Sequence, residues 1–308
     1  MTQTFPSKFA VIVPVLNAAA DWGRFEPALR ACVGVEKVLI VDSASTDGTV
    51  DLARAAGFQV CTIARADFNH GGTRQLAAEM LPDAEILIYL TQDAILTGPD
   101  ALQPLLAAFE DTLVAAAFGR QLPRKGATPI EAHARRFNYL AQSSVRTLAS
   151  REQMGFKAIF LSNSFAAYRR EALLSVGGFP RNVIFGEDTI TAAKLLMAGW
   201  KIAYVADAQV YHSHSYTWTQ DFKRYFDIGV LHTREHWLLE EFGQTGGEGL
   251  RFVRSELGYL WPRYGWLIPS ALVRTALKLL GYKLGKMEGR LSLAWKRRLS
   301  MHRGYWRS

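Results

Sequence analysis

The chain has 308 residues, of which 49% are hydrophobic and 21% charged, with a formal net charge of +8. This is an ordinary globular composition, long enough for one large α/β domain with an appendage or for two domains. Two cysteines, Cys32 and Cys61, imply no disulfide framework and fit a reducing compartment. No run of about 18 uncharged apolar residues occurs, so no spanning helix is expected. Residues 1–8 lack a basic stretch followed by an apolar one, so no signal peptide is expected either. The charge is uneven: residues 250–308 hold thirteen Lys and Arg against Glu256 and Glu288. The basicity belongs to the tail, and the body is slightly acidic.

In chain order, residues 9–15 (FAVIVPV) read as a buried strand, 21–32 as a helix and 37–41 (KVLIV) as a second strand. A helix over 46–56, capped by Ser45 or Thr46, a third strand over 58–63, a helix over 72–80 and a fourth strand over 85–90 follow. Such alternation with short loops predicts βαβ units, a Rossmann-like, mostly parallel sheet flanked by helices. Ligands bind such sheets beyond the carboxyl ends of the strands, which singles out Asn17, Asp42 and Thr91-Gln92-Asp93. Further on, 123–126 form a turn, 129–150 read as a helix carrying Arg135, Arg136 and Arg146, and 160–168 as a strand. A short helix then stops at Gly177-Gly178-Phe179-Pro180. Glu187-Asp188 opens an amphipathic helix over 189–198, Gly199-Trp200 ends it, a strand over 201–205 follows, and His212 and His214 flank Ser213. That order returns a carboxylate and an imidazole to one edge of the sheet. Near Tyr216 the texture changes, dividing the chain into a body, 1–215, and a basic-aromatic helical extension, 216–308.

Each constellation has two readings. Asp42 through Thr49 suits a base or ribose hydroxyl at a strand end and a phosphate at a helix N-terminus, or is an Asx-rich turn with a capping role. Asp93 suits a divalent ion carrying a diphosphate, or caps a helix before Gly98-Pro99. The Gly-rich segment Phe68-Asn69-His70-Gly71-Gly72-Thr73-Arg74 offers backbone amides and an arginine to a phosphate, or is a tight turn; it lacks the Gly-Lys-Ser/Thr ending of a Walker A loop. Glu187-Asp188 suits proton abstraction, or favours a helix dipole. No Gly-x-Gly-x-x-Gly follows the first strand, against a nicotinamide dehydrogenase, and no Gly-x-Ser-x-Gly elbow appears, against an α/β-hydrolase.

Taken in order, Val13-Pro14-Val15-Leu16-Asn17, Asp42 through Thr49, the Asp93 edge and Gly186-Glu187-Asp188 resemble the motifs of GT-A fold, family 2 inverting glycosyltransferases over about residues 8–215. Residues 68–74, Leu90-Thr91-Gln92-Asp93-Ala94 and Val210-Tyr211-His212-Ser213-His214-Ser215 further resemble the bacterial rhamnosyltransferase branch. The resemblance implies a nucleotide-sugar donor held by Pro14, Asn17, Asp42, Ser43, Gly72, Arg74, Gln92 and Asp93. It implies Mg2+ or Mn2+ on Asp93 with His212 or His214, Asp188 as catalytic base, and Glu187 and Asn163 toward the acceptor. The family's usual Asp-x-Asp is here Thr91-Gln92-Asp93, with one acid, so a metal would lean on a histidine.

The implied reaction is inverting transfer of L-rhamnose from dTDP-L-rhamnose to a polyprenyl-diphosphate-linked, O-antigen-like saccharide at the cytoplasmic membrane face. The same fold with a UDP- or GDP-sugar, or a catalytically silent nucleotide- or glycan-binding protein, are the alternatives. Trp261, Trp266, Trp295 and Trp306 lie in the basic tail among Leu, Lys and Arg. Such helices lie in a membrane interface beside anionic lipids, or pack on the body or on a second subunit as a homo-oligomer contact. No nucleic-acid module is recognised, so no nucleic-acid partner is expected.

Overall fold

The computed structural model describes residues 8–243 and 246–306. The first half builds as the alternation predicts. Strands β1 (Phe9–Val15), β2 (Val38–Asp42), β3 (Gln59–Thr62) and β4 (Ile86–Leu90) are linked by helices α1 (Ala19–Arg30), α2 (Thr49–Ala55) and α3 (His70–Met80). They pair in parallel in the order β3-β2-β1-β4. Every position of β2 and β4 is buried, because helices cover both faces; hence their unbroken apolar runs.

The second half is mixed. It comprises β5 (Ile95–Leu96), α4 (Gln103–Ala107), β6 (Val114–Leu122), α5 (Pro129–Asn138), β7 (Ser144–Arg146), α6 (Arg151–Met154), β8 (Phe165–Arg169), α7 (Arg170–Ser175), α8 (Glu187–Met197) and β9 (Lys201–Tyr211). β8 lies antiparallel between β4 and β6, β6 runs parallel to β9, and β5 and β7 pair antiparallel with β9. One sheet of nine strands results among the described residues.

Four local expectations are corrected. β6 is absent from them because its Val-Ala-Ala-Ala-Phe-Gly run is poor in strand-forming side chains. Its neighbours decide it: a Cβ on Gly119 would stand 2.3 Å from the Phe165 ring and 2.6 Å from the Ala208 carbonyl. The helix expected over 129–150 starts on a Thr128–Glu131 capping box but stops at Asn138. The chain turns back as β7 because buried Arg146 donates to the carbonyls of Lys157 and Phe160 and lies 5.0 Å over Phe118. The strand expected over 160–168 begins only at Phe165, leaving Asn163 in the turn before it. Finally, Gly48, at φ +86, caps α2, while the Ser45 hydroxyl accepts the Asn17 N–H at 2.8 Å.

The tail forms α9 (Trp218–Arg234), α10 (Trp237–Phe242), α11 (Gly246–Tyr264), α12 (Ile268–Lys286) and α13 (Leu293–Leu299). Phe226, Val230, Leu231, Leu238, Phe242 and Trp306 share one core with Tyr89, Phe118, Tyr168, Phe179 and Leu195 of the body. Helices α9 and α12 cross closely at small residues. A Cβ on Gly229, Gly281 or Gly285 would fall 2.3, 2.3 or 2.0 Å from a carbonyl oxygen of the facing helix. No described helix is long and apolar enough to cross a membrane.

Candidate active site

Two loops at the carboxyl edge of the parallel half interlock. Asn17 and Ala44 both have positive φ, at 49° and 59°, a conformation that is costly for side-chain-bearing residues and clusters at functional sites. Contacts between the loops hold it: the Asn17 side chain accepts from the Thr46 N–H at 2.9 Å, Thr49 Oγ1 from the Ala18 N–H at 2.8 Å, and Asp47 from the Ala19 N–H at 2.9 Å. Asp42, at the end of β2, is buried and accepts the Ser45 N–H. Buried Ser43 keeps a hydroxyl with no partner. Pro14 belongs to β1, and Gln92 clamps the loop after it through both the N–H (2.7 Å) and the carbonyl (3.1 Å) of Leu16. The expected donor residues Pro14, Asn17, Asp42, Ser43 and Gln92 are thus assembled over the ends of β1, β2 and β4.

Pairing of Ile95 with Tyr211 in β5–β9 brings Asp93 to the residues that follow β9. Asp93 Oδ2 lies 3.3 Å from His212 Nε2 and 3.6 Å from His214 Nδ1. Ligand atoms of the three residues all fall within 4.8 Å of one another. Gln121 Oε1, 2.8 Å from His212 Nδ1, also accepts from Arg135, so Nδ1 carries the imidazole proton. The lone pair of Nε2 then faces the Asp93 carboxylate, and that buried nitrogen has no hydrogen-bond partner. A carboxylate oxygen facing an imidazole lone pair repels it until a cation sits between them. The orphaned atom and its fixed tautomer are what a metal-ligating histidine needs, so these residues fit a divalent ion. Burial, then His212, push His214 down to about 3, against the opposing pull of Asp93; it is a neutral ligand at physiological pH.

The carboxylate expected to act as base is set by α8. Gly186, at φ +79, turns the chain so that Glu187 and Asp188 fill the first turn. Asp188 accepts the Thr189 N–H at 2.8 Å and the Asn163 N–H at 3.2 Å. Buried Glu187 pairs with Arg74 at 3.0 Å and accepts from the Asn163 amide at 3.0 Å, while the Tyr168 hydroxyl donates to Asn163 Oδ1 at 2.7 Å. Adjacent carboxylates are thereby driven apart. Burial and then the charge of Glu187 push Asp188 up to about 6. Burial would raise Glu187 as well, but Arg74 and His70 overcome it and keep it below the ordinary value. This is the pattern by which neighbouring acids take different roles. Asp188 is ionised at neutral pH yet more basic than an exposed aspartate, which suits it to accept a proton from a hydroxyl.

Register joins the two centres. β8 pairs Phe165 with Leu90, and the Thr91 N–H donates to the Ser164 carbonyl at 3.3 Å. Asn163, which holds the base, thus sits beside the strand end that carries Asp93. Asp188, Glu187, Asn163, Arg74, His212 and His214 line one cavity of about 570 Å³, which Arg135, Tyr216 and Arg224 also line. Of the other expected donor residues, Gly72 has its N–H taken by Asn69 Oδ1 at 2.6 Å, and Arg74 pairs with Glu187. Sequence reasoning missed Gln121, which lies on the unforeseen β6, and Arg224 and His302, which arrive from the tail.

The model for "Glycosyltransferase like family 2" matches residues 6–226. The chain is 46% identical over 97% of its length to the O-antigen chain rhamnosyltransferase RfbN of Salmonella typhimurium, of which it covers 96%. It is 43% identical, again over 97%, to the O-antigen chain rhamnosyltransferase WbaN of Salmonella anatum, covering 95% of that protein. Among solved structures, the mannosyltransferase PcManGT of Pyrobaculum calidifontis, in complex with GDP-mannose and Mn2+, shares the fold with a TM-score of 0.57 and 20% identity, over 99% of this chain and 88% of that one. The chain belongs to the family 2 glycosyltransferases, with a GT-A fold, and is an inverting, nucleotide-sugar-dependent enzyme.

Proposed function

We propose that this enzyme transfers L-rhamnose from dTDP-L-rhamnose, with inversion, to a hydroxyl of a polyprenyl-diphosphate-linked O-antigen-type saccharide. The observation that carries the sugar and the acceptor class is the identity to two named O-antigen rhamnosyltransferases along nearly the whole chain. The site supports the chemistry. Asp42, Asn17 and their interlocked loops bind the nucleotide; Asp93, His212 and His214 hold Mg2+ or Mn2+, which when bound supplies positive charge to the diphosphate. Asp188 receives the acceptor proton, and Asn163 and Glu187 shape the acceptor side of the cavity.

The test is nucleoside-diphosphate release from dTDP-, UDP- and GDP-sugars with Mg2+, Mn2+ or EDTA. Release from dTDP-rhamnose, lost in EDTA and in His212→Ala, is the expected result. Release from another sugar nucleotide discards rhamnose and keeps the mechanism. Silence across the panel, even with lipid-linked acceptor added, favours a binding protein.

The tail supports a peripheral place on the inner face of the cytoplasmic membrane. Trp261 and Trp266 are 77% and 72% exposed, and Leu272, Leu279, Leu280 and Trp295 are also exposed within the basic segment. Trp and Leu flanked by Lys and Arg are the chemistry of interfacial binding. The double variant Trp261→Ser/Trp266→Ser is expected to lose about tenfold or more in affinity for vesicles of anionic lipid, while release from a water-soluble acceptor is unchanged. Unchanged vesicle binding would leave these faces to a second subunit.

A further inference from the structure

The cavity that holds Asp188 is also lined by an arginine that nothing so far explains. Of the cavity's cations, Arg74 is paired with Glu187, and Arg274 and Lys278 with Asp221. Arg135 is bound to Gln121. Like Arg135, Arg224 has no carboxylate within ion-pair distance of its guanidinium among the described residues; unlike it, Arg224 has no side-chain amide partner, and its side chain is exposed and lines the cavity. Two rings hold it, Phe185 at 5.9 Å and Tyr216 at 5.7 Å. Phe185 directly precedes Gly186-Glu187-Asp188. Tyr216 stacks on His214, with centroids 5.1 Å apart and planes at 27°. The guanidinium therefore lies between the loop that carries Asp188 and the loop that carries the histidines.

We propose that Arg224 is a catalytic residue that binds the diphosphate of the donor and stabilises it as the leaving group. In the transfer step the bond from sugar C1 to the diphosphate oxygen breaks and its electron pair departs with that oxygen. The acceptor oxygen forms the new bond to C1, and its proton passes to Asp188. Negative charge grows on the diphosphate, beside Asp93 and His214, and Arg224 is a cation without a countercharge one ring away from His214. A guanidinium presents a planar fork of donors matched to phosphate oxygens, and a fixed positive charge aimed where charge develops is the largest usual source of rate enhancement. Where the family's usual acid pair is reduced to Asp93 alone, such a protein-borne charge shares the work of the metal.

This inference rests on the glycosyl-transfer reading and not on the identity of the sugar. The test is calorimetric binding of dTDP, UDP and GDP and of the matching monophosphates, with Mn2+, to wild type, Arg224→Gln and Arg224→Lys, alongside kcat. Binding of a nucleoside diphosphate to wild type checks the transfer reading by itself. Arg224→Gln is expected to weaken the diphosphate by about ten- to a hundredfold, leave the monophosphate unchanged, and lower kcat by at least as much; Arg224→Lys recovers part of both. Unchanged diphosphate affinity, or equal loss for diphosphate and monophosphate, overturns the proposal. So does a defect confined to the KM of the acceptor.

Discussion

Asp188→Asn is expected to lower kcat by about 10³- to 10⁴-fold, the upper part of the range for general base catalysis, while donor-nucleotide affinity stays within about twofold. The amide keeps the size of the side chain and one acceptor for the N–H groups of Asn163 and Thr189, which anchor it now. What it loses is the ability to take a proton. In the wild type the same carboxylate gives a pH signature. Its pKa is raised to about 6, by burial and then by Glu187, so below that value it is protonated and cannot act. The rate should therefore rise with pH through about 6 and level off above, and the residual rate of the variant should show no such step. Initial rates of nucleoside-diphosphate release across the acidic to neutral range, with calorimetric donor binding, check both. Equal loss of binding and turnover would assign Asp188 to the donor instead.

Arg74→Met carries the largest expected effect on stability. Arg74 and Glu187 are both almost fully buried and lie 3.0 Å apart. Removing the guanidinium leaves a carboxylate inside the protein without its countercharge, next to the carboxylate of Asp188. Breaking a buried pair from one side costs about 3–5 kcal/mol, read as a lower denaturation midpoint in urea. Replacing both members, Arg74→Met with Glu187→Gln, should recover much of that loss, because no uncompensated charge remains. The pH–rate step of the single variant should also move above 6, since Arg74 is among the groups that lower the Asp188 pKa. A single variant as stable as wild type would show that Glu187 is already neutral in the fold.

Much of this protein was legible without coordinates where the signal is local. The parallel half follows from strands whose every position is buried, as in β2 and β4, so that apolar runs and short loops suffice to order β1 to β4. Gly186-Glu187-Asp188 announced a helix start that carries two acids, because a left-handed glycine and its next residues need only their own neighbours. Asp93, His212 and His214 were recognisable as ligand-type residues, and the fold brings them together. What stayed hidden depends on partners far along the chain. β6 has the composition of no particular element, and pairing with β8 and β9 makes it a strand. With β6 went Gln121, and with Gln121 the tautomer of His212.

Residue order alone therefore determined which side chains stand at strand ends and helix starts, since backbone preferences act over a few positions. Only the tertiary structure decided how each one behaves. Asp188 and Glu187 are adjacent and chemically alike, and nothing in their order says which is the base. Arg74, far earlier in the chain, neutralises one and leaves the other to be raised by burial. Arg224 likewise reads as one basic residue among many in an amphipathic helix, until packing of α9 against the core sets it over Phe185 and Tyr216. Charge states in a buried site depend on distance and desolvation, and both are fixed by contacts that the chain makes only once it is folded.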